Sequence, residues 1–506
     1  MTVSTGERRV LERRLPDEQA TMRLGEDIAM ALRAGDVIAL TGDLGAGKTT
    51  LSRALIRAMA DDALLEVPSP TFTLVQSYDT RVPIHHFDLY RLASANELDE
   101  LGLDEMLGTG AALIEWPDRA GDRLPADTIS LEIEHLDDGR LARLSGFGPA
   151  FERIARSLAM RDFLATAGWG EASRRHFTGD ASARSYETVR LAGEARVLMN
   201  SPRLVLGPPV RDGKPYAVIA HTAQSVAAFV AIDRALAEGG VSVPEIFAED
   251  LDRGFLLIGH LGDGNFLGPH GEPVAERYAA AAKVLAAMHG RPWQERLEAA
   301  PGVVHEVPPF DRDALMIEVD LLVDWYVPYA TGKPASDALR AGYKAAWNAV
   351  FDRLDSVEKS LVLRDFHSPN IIWRGDRKGH DRLGVIDFQD ALIGPSAYDV
   401  ASLAMDARVT VPPEIEATTV AAYVAARKQA GAFDEAAFAE AYAIMAAQRN
   451  SKILGIFVRL NERDGKPAYL KHLPRISDYL RRALAHPALA ALRDFYVRNG
   501  LIGDAG

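Results

Sequence analysis

The chain has 506 residues, 48% hydrophobic and 25% charged, with no cysteine and a formal net charge of −14. At roughly 100–200 residues per domain that length implies two to four domains, and the composition excludes a mostly disordered chain. The missing cysteines exclude disulfides, thiolate zinc sites and thiol nucleophiles. No run reaches the roughly 18 apolar residues of a membrane span, and the charged start MTVSTGERRVLERRLPDE has no apolar signal core, so a cytoplasmic protein without membrane contact is expected.

In chain order, DVIALTG, KTTLSRALIRAMA, IHHFDLYRL and AALIEWPDR alternate short apolar runs with helical patterns. This predicts an α/β domain with a mostly parallel sheet. An acidic strand, TISLEIEHLDD, follows, and a helical pattern starts at Phe151, which places a boundary near LSGFGPAFERIA and a first domain over 1–150. Residues 171–260 are expected to be rich in strands, with YETVRL, ARVLMN, YAVIAHT and GFLLIGHL, and the chain from Val274 mainly helical, giving a small lobe over 151–265 and a large helical lobe over 266–506. A strand-rich lobe followed by a helical lobe is the order of kinase-like folds. Charge is unevenly spread: residues 1–150 hold 15 Lys and Arg against 26 Asp and Glu, a balance of −11, and the remainder 42 against 45, a balance of −3. A domain that acidic is a poor binder of nucleic acid alone, because phosphate neutralisation needs clustered cations.

The first chemical signal is Gly42-Asp43-Leu44-Gly45-Ala46-Gly47-Lys48-Thr49, followed by Thr50, which matches G-x-x-x-x-G-K-[ST] between an apolar strand and a helix. Its backbone N–H groups would cradle the phosphates of ATP, Lys48 would reach the β- and γ-phosphates, and the Thr49 hydroxyl would ligate Mg²⁺. Three further segments follow in order: SPTF at Ser69–Phe72, HHFDLYRL at His85–Leu92 and LIEWPDR at Leu113–Arg119. With the loop, they make residues 10–145 resemble TsaE, the small bacterial ATPase of threonylcarbamoyladenosine synthesis in tRNA. The resemblance implies that Asp88 and Glu115 sit at strand ends and hold or orient the Mg²⁺, and that Thr71 belongs to a switch loop sensing the nucleotide. It also implies TsaD- and TsaB-like proteins as partners, in keeping with an acidic ATPase that works through proteins. For Trp116 two positions stand open: beside the nucleotide or a partner, or in the core.

The second signal is VLRDFHSPNIIW followed by GVIDFQDALIGPSAYDVASL. Asp365 and Asn370 have the D-x-x-x-x-N spacing of a kinase catalytic loop, and Asp387 follows in the position of a metal-binding aspartate. Phosphoryl transfer needs a carboxylate to orient the acceptor hydroxyl, here Asp365, and metal ligands to neutralise the phosphates, here Asn370 and Asp387. The wording, without D-F-G or A-P-E, resembles the aminoglycoside phosphotransferase branch, in which Asp399 would brace the catalytic loop. Within it, FTGDASARSYETVRL, RVLMNSP, GFLLIGHLGD, PPFDRDALMIEVDLLVDWYV, QRNSKILGIFVRL and YLKHLPRISDYL make residues 158–496 resemble the AmgK-like kinases of cell-wall recycling. Those enzymes phosphorylate the anomeric hydroxyl of N-acetylmuramate and N-acetylglucosamine.

One departure stands out: Met199 occupies the strand position where kinases usually carry a phosphate-binding lysine, and Lys214 is the only lysine between Phe151 and Ala282. The loop GDASARS, with Arg184, is the expected substitute. For the amino sugar, Glu318, Asp320 and Asp324 recur at helical spacing beside Trp325, as sugar-binding carboxylates and a stacking face or as a solvated helix face. His367 is either a substrate contact or a brace, and Gln448, Arg449 and Lys452 form a polar cluster that could face the acceptor. The expected protein is therefore a bifunctional ATPase and sugar kinase whose halves act independently when cut near Gly148–Arg156. The alternatives are another small alcohol or an aminoglycoside as acceptor, or a non-catalytic nucleotide-binding second half.

Overall fold

The computed structural model describes residues 7–92, 94–177 and 184–502, which divide into two compact units. Unit one comprises residues 1–201 and 247–259, and unit two residues 202–246 and 260–506. Among the described residues no helix is long and apolar enough to cross a membrane.

Unit one begins with strand β1 (Arg9–Leu15), helix α1 (Glu18–Ala31), strand β2 (Val37–Thr41) and helix α2 (Lys48–Ala60). Strands β3 (Val75–Tyr78), β4 (Ile84–Asp88), β5 (Ala111–Glu115), β6 (Ile129–Leu136) and β7 (Gly139–Gly146) complete a seven-stranded sheet of order β1-β7-β6-β2-β5-β4-β3. The sheet is parallel at its centre, β6-β2-β5-β4, and antiparallel at both edges. The parallel part of the sheet is thus confined to four strands; β3–β4 and β6–β7 are joined by short connections, which only antiparallel neighbours permit, while β1 returns from the chain start to pair with β7. The central strands β2, β4 and β5 are buried almost throughout, as expected for strands covered on both faces. Asp17 caps α1, its carboxylate accepting the Ala20 N–H at 2.7 Å.

The expected boundary at 150/151 falls inside one continuous helix, Gly148–Thr166, hereafter the linking helix. Its Phe151, Ile154 and Leu158 belong to the core around α1 and β7, while Met160, Phe163 and Leu164 belong to a second core. That second core lies under a five-stranded antiparallel sheet formed by β8 (Ser173–Phe177), β9 (Ser185–Leu191), β10 (Glu194–Asn200) and strands Phe255–Gly259 and Ile246–Asp250. Polar groups tie the two parts of the unit. Arg174 of β8 is fully buried and joins Asp27 of α1 at 2.7 Å to Glu187 of β9 at 2.6 Å. Arg161 of the linking helix holds the same Asp27 at 2.8 Å, and Ser157 donates to the Asp27 carbonyl at 2.5 Å. A cut near Gly148–Arg156 would separate Leu158 and part of the linking helix from the first core, and would part Asp27 from Arg161 and Arg174.

Unit two is mainly helical. Helices Val226–Glu238, Ala275–His289, Arg312–Leu321, Asp337–Phe351, Pro413–Ala430 and the 28-residue Glu435–Glu462 accompany two short antiparallel strand pairs. A hairpin pairs Ile371–Trp373 with Leu383–Val385, and the strands on either side of it in the chain, Lys359–Val362 and Leu392–Pro395, pair with each other. The apolar run YAVIAHT is a short helix, Tyr216–Ile219, where a strand was expected: Pro215 supplies the helix entry and Ile219 packs against Ile317. A bare hydrogen cannot be exceeded at Gly455, where a Cβ would lie 2.2 Å from the Leu321 carbonyl oxygen, so the long helix crosses Arg312–Leu321 in direct backbone contact.

Candidate active sites

The phosphate loop lies between β2 and α2, as its spacing predicts. Gly42, Gly45 and Gly47 have φ of 138°, 83° and 109°, in the left-handed region that side chains resist. At Gly42 space forbids a side chain as well, since a Cβ would meet the Ile133 carbonyl oxygen at 2.4 Å. Asp43, Leu44 and Ala46 complete the loop, closed by the Ala46 N–H donating to the Asp43 carbonyl at 3.1 Å. Lys48 is buried and donates to the carbonyls of Gly42 and Asp43 at 2.8 and 2.9 Å. Trp116 covers it, with the ammonium 4.5 Å from the ring centroid, and packs on Tyr90. Trp116 therefore stands beside the loop and not in the core proper.

Two carboxylates stand at adjacent strand ends, because β4 and β5 run parallel with Asp88 opposite Glu115, and Glu115 reaches Thr49 at the end of the loop. Glu115 is buried and accepts from Thr49 Oγ1 at 3.3 Å, Ser52 Oγ at 3.4 Å and the His86 ring at 3.0 Å. Asp88 accepts from Thr71 Oγ1 at 2.6 Å and Ser69 Oγ at 3.1 Å. The structure thus brings Thr49 to Glu115 and Thr71 to Asp88, while Thr50 sits in the first turn of α2. These hard oxygens suit a divalent cation such as Mg²⁺. Sequence reasoning passed over His86 and Ser69; alternation along β4 was the available signal, since it sends His86 and Asp88 to one face.

In unit two the hairpin Ile371–Trp373 with Leu383–Val385 builds the second site. Pairing Ile371 with Val385 places Asn370, just before one strand, beside Asp387, just after the other. Asn370 Nδ2 donates to the Asp365 carbonyl at 2.9 Å and approaches Asp387 Oδ2 at 3.4 Å, and Gln389 donates to Asp387 Oδ1 at 3.1 Å. Asp399 braces the catalytic loop by accepting the N–H groups of Leu363 and Arg364 at 2.7 and 2.9 Å. Asp406 does the same for Ser368 at 2.8 Å. The Asp365 carboxylate stays half exposed, with the His367 ring 3.8 Å away. Burial acts to raise its pKa, but the His367 ring and the cations Lys452, Arg449 and Arg364 outweigh it and hold Asp365 below the ordinary carboxylate range. Burial pushes the His367 imidazole down, favouring the neutral ring. An ionised Asp365 can accept a hydrogen bond from an alcohol and orient its oxygen, while Asn370 and Asp387 offer oxygen ligands to a phosphate-bound metal.

The acceptor residues are less uniform than their spacing suggested. Glu318 is fully buried, its Oε1 taken by Arg364 and by Lys452 at 2.6 Å and its Oε2 by Gln448 at 2.9 Å. Being buried, it lies on no solvated face, and its carboxylate is engaged in positioning Arg364 and Lys452. Asp320 pairs with Arg211, and Asp324 turns to Arg340 at the exposed side. Half-buried Trp325 lies in a π-helical turn, Leu322–Tyr326, which breaks the expected periodicity. Arg364, missed by sequence reasoning, has φ of 69° and anchors the loop by donating to the Ala220 carbonyl at 2.9 Å. Its place directly before Asp365 was the only signal. Met199 is buried in β10, and residues 179–183 of the loop GDASARS lie outside the described residues.

Residues 15–143 match the family model of the threonylcarbamoyl adenosine biosynthesis protein TsaE, and residues 173–440 that of the phosphotransferase enzyme family. The chain is 34% identical over 354 residues to the N-acetylmuramate/N-acetylglucosamine kinase of Caulobacter vibrioides, covering 68% of this chain and 96% of that one. The chain belongs to the phosphotransferase enzyme family and carries a TsaE domain at its N-terminus. The kinase of Pseudomonas putida bearing the same name is 33% identical over 341 residues, 66% of this chain and 91% of its own. In the TsaE domain, the tRNA threonylcarbamoyladenosine biosynthesis protein TsaE of Rickettsia felis is 39% identical over 127 residues, 25% of this chain and 74% of that one. Both parts of the chain thus fall in enzyme families.

Proposed function

We propose that the chain is a bifunctional enzyme: a TsaE-type ATPase serving tRNA threonylcarbamoyladenosine synthesis and an ATP-dependent kinase for the anomeric hydroxyl of N-acetylmuramate and N-acetylglucosamine. The observation that carries the kinase reading is the convergence of Asp365, Asn370 and Asp387 at one hairpin, within a region related to kinases of that name over nearly their full length. Asp365 orients the acceptor hydroxyl and takes its proton as the O–P bond forms, so its low pKa suits a loose transition state in which proton transfer is late. Asn370 and Asp387 would hold Mg²⁺, which supplies charge neutralisation to the phosphates. In the TsaE domain Lys48 leaves its carbonyl partners for the β- and γ-phosphates, Thr49 and Glu115 with Asp88 would hold the metal, and Thr71 relays the nucleotide state. TsaD- and TsaB-like proteins are its partners. The test is to supply the full chain with ATP, Mg²⁺ and each sugar. A sugar 1-phosphate is expected by phosphorus NMR, and the methyl glycoside should be inert; phosphate at the 6-position refutes the reading.

A further inference from the structure

Glu115 ends β5 in a buried position, and its hydrogen bonds are unevenly divided between its two oxygens. Oε1 accepts from the His86 ring at 3.0 Å, from Ser52 Oγ at 3.4 Å and from Thr49 Oγ1 at 3.4 Å. Among the described residues Oε2 accepts from Thr49 Oγ1 alone, at 3.3 Å. The elements explain this convergence. Thr49 and Ser52, three positions apart, share one face of α2. In the parallel register of β4 and β5, His86 lies opposite Leu113 and Asp88 opposite Glu115, so His86 and Glu115 are diagonal neighbours on one face of the sheet.

The His86 ring is fully buried, and its other nitrogen, Nδ1, has no hydrogen-bond partner among the described residues. Leaving a buried polar nitrogen unpaired costs about 1–3 kcal/mol, which a phenylalanine in the same space would not incur. What the imidazole gains over an apolar ring is its bond to Glu115. Once Thr49 turns its hydroxyl to a metal, Oε1 keeps His86 and the longer Ser52 contact, and Oε2 is open. We propose that His86 is a positioning residue for Glu115, pinning Oε1 so that Oε2 is presented to the divalent cation beside Thr49. The proposal rests on the TsaE-type ATPase reading above. Hydrogen-bond partners that orient a metal-binding carboxylate typically change metal affinity or activity by about 10–100-fold.

The test uses the full chain. His86→Phe keeps a buried ring and removes the bond. His86→Gln carries its Nε2 the same number of bonds from the backbone and can restore it, whereas His86→Asn is polar but too short. Mg²⁺ is titrated into ATP hydrolysis with TsaD- and TsaB-like partners and without sugar, and Mn²⁺ bound in the presence of ADP is counted by electron paramagnetic resonance. In both measurements the Lys48→Ala chain is the blank for nucleotide and metal held by the kinase half. His86→Phe should raise the half-saturating Mg²⁺ and the Mn²⁺ Kd by about 10–100-fold, with a smaller effect on the rate at saturating Mg²⁺. His86→Gln should recover most of that loss and His86→Asn none of it, a comparison that stands even if the Phe variant does not fold. Unchanged Mg²⁺ and Mn²⁺ affinities in the Phe variant overturn the proposal, as does an equal loss in the Gln and Asn variants, the sign of a ring needed only to fill space. A Lys48→Ala chain that hydrolyses ATP at the unaltered rate overturns the ATPase reading and this proposal together, whereas the other two failures strike the proposal alone.

Discussion

Arg174→Met is the sharpest test of the joint between the TsaE domain and the strand lobe that follows it. The side chain is fully buried, bonds Glu187 twice at 2.6 and 2.8 Å, and reaches Asp27 at 2.7 Å and the Ser157 carbonyl at 2.9 Å. Methionine fills much of the volume but removes the charge. Asp27 keeps Arg161, so the damage falls on Glu187, left buried beside an apolar group. Breaking a buried ion pair from one side typically costs about 3–5 kcal/mol, a large part of the stability of one domain. Urea unfolding of the full chain, followed by far-UV circular dichroism and by amide exchange in the linking helix, reads that loss. Adding Glu187→Gln should return most of it, because the stranded charge is then gone. A loss under about 1 kcal/mol, or a second substitution that returns nothing, would refute the argument that this network clamps the two parts.

Lys48→Ala should abolish ATP hydrolysis by the TsaE domain, measured with TsaD- and TsaB-like partners, while Thr49→Ala should chiefly raise the Mg²⁺ requirement. Asp365→Asn should slow sugar phosphorylation by about 10²–10⁴-fold with little change in sugar KM. Gly455→Ala should destabilise unit two by about 1–3 kcal/mol in thermal unfolding, since its Cβ would sit 2.2 Å from the Leu321 carbonyl. Asp233 is buried with an unpartnered oxygen, and burial raises its carboxyl to about 8. Below its unfolded pKa of about 4 the proton is bound in both states, and stability is then lost as pH climbs towards 8, by up to ~1.4 kcal/mol per unit. Asp233→Asn should therefore raise the melting temperature at pH 7 to 8 and change it little near pH 4; an equal gain at both pH values would contradict this.

What could be read in the residues was whatever is encoded locally. The phosphate loop is a single contiguous turn whose glycines, lysine and threonine act at fixed spacing, and Asp365 and Asn370 share one loop. Asp387 was legible because a hairpin returns it to Asn370 17 residues later. The run at Tyr216 was not legible, since four apolar residues fit a strand as well as a helix turn and tertiary packing decides. Glu318 was misplaced for a related reason: periodicity tells which face a residue shares, not whether that face meets water or Arg364, 46 positions away. The clamp between Asp27 and Arg174 spans 147 positions, with nothing in either neighbourhood to announce the other.

The linking helix also acts as a ruler. Leu158 and Met160 serve different cores from opposite faces of a single turn, about 200° apart, so each core dictates the rotation at which the other must be presented. One residue inserted between them would turn the second core by about 100° and advance it ~1.5 Å, and four residues would restore the facing only at a displacement of ~6 Å. A flexible tether tolerates changes in length; this joint tolerates none that breaks helical phase. Chimeras that exchange TsaE domains between such proteins should accordingly be joined at matched helical positions, and a Gly-Ser spacer at the same place would cost both cores their shared wall.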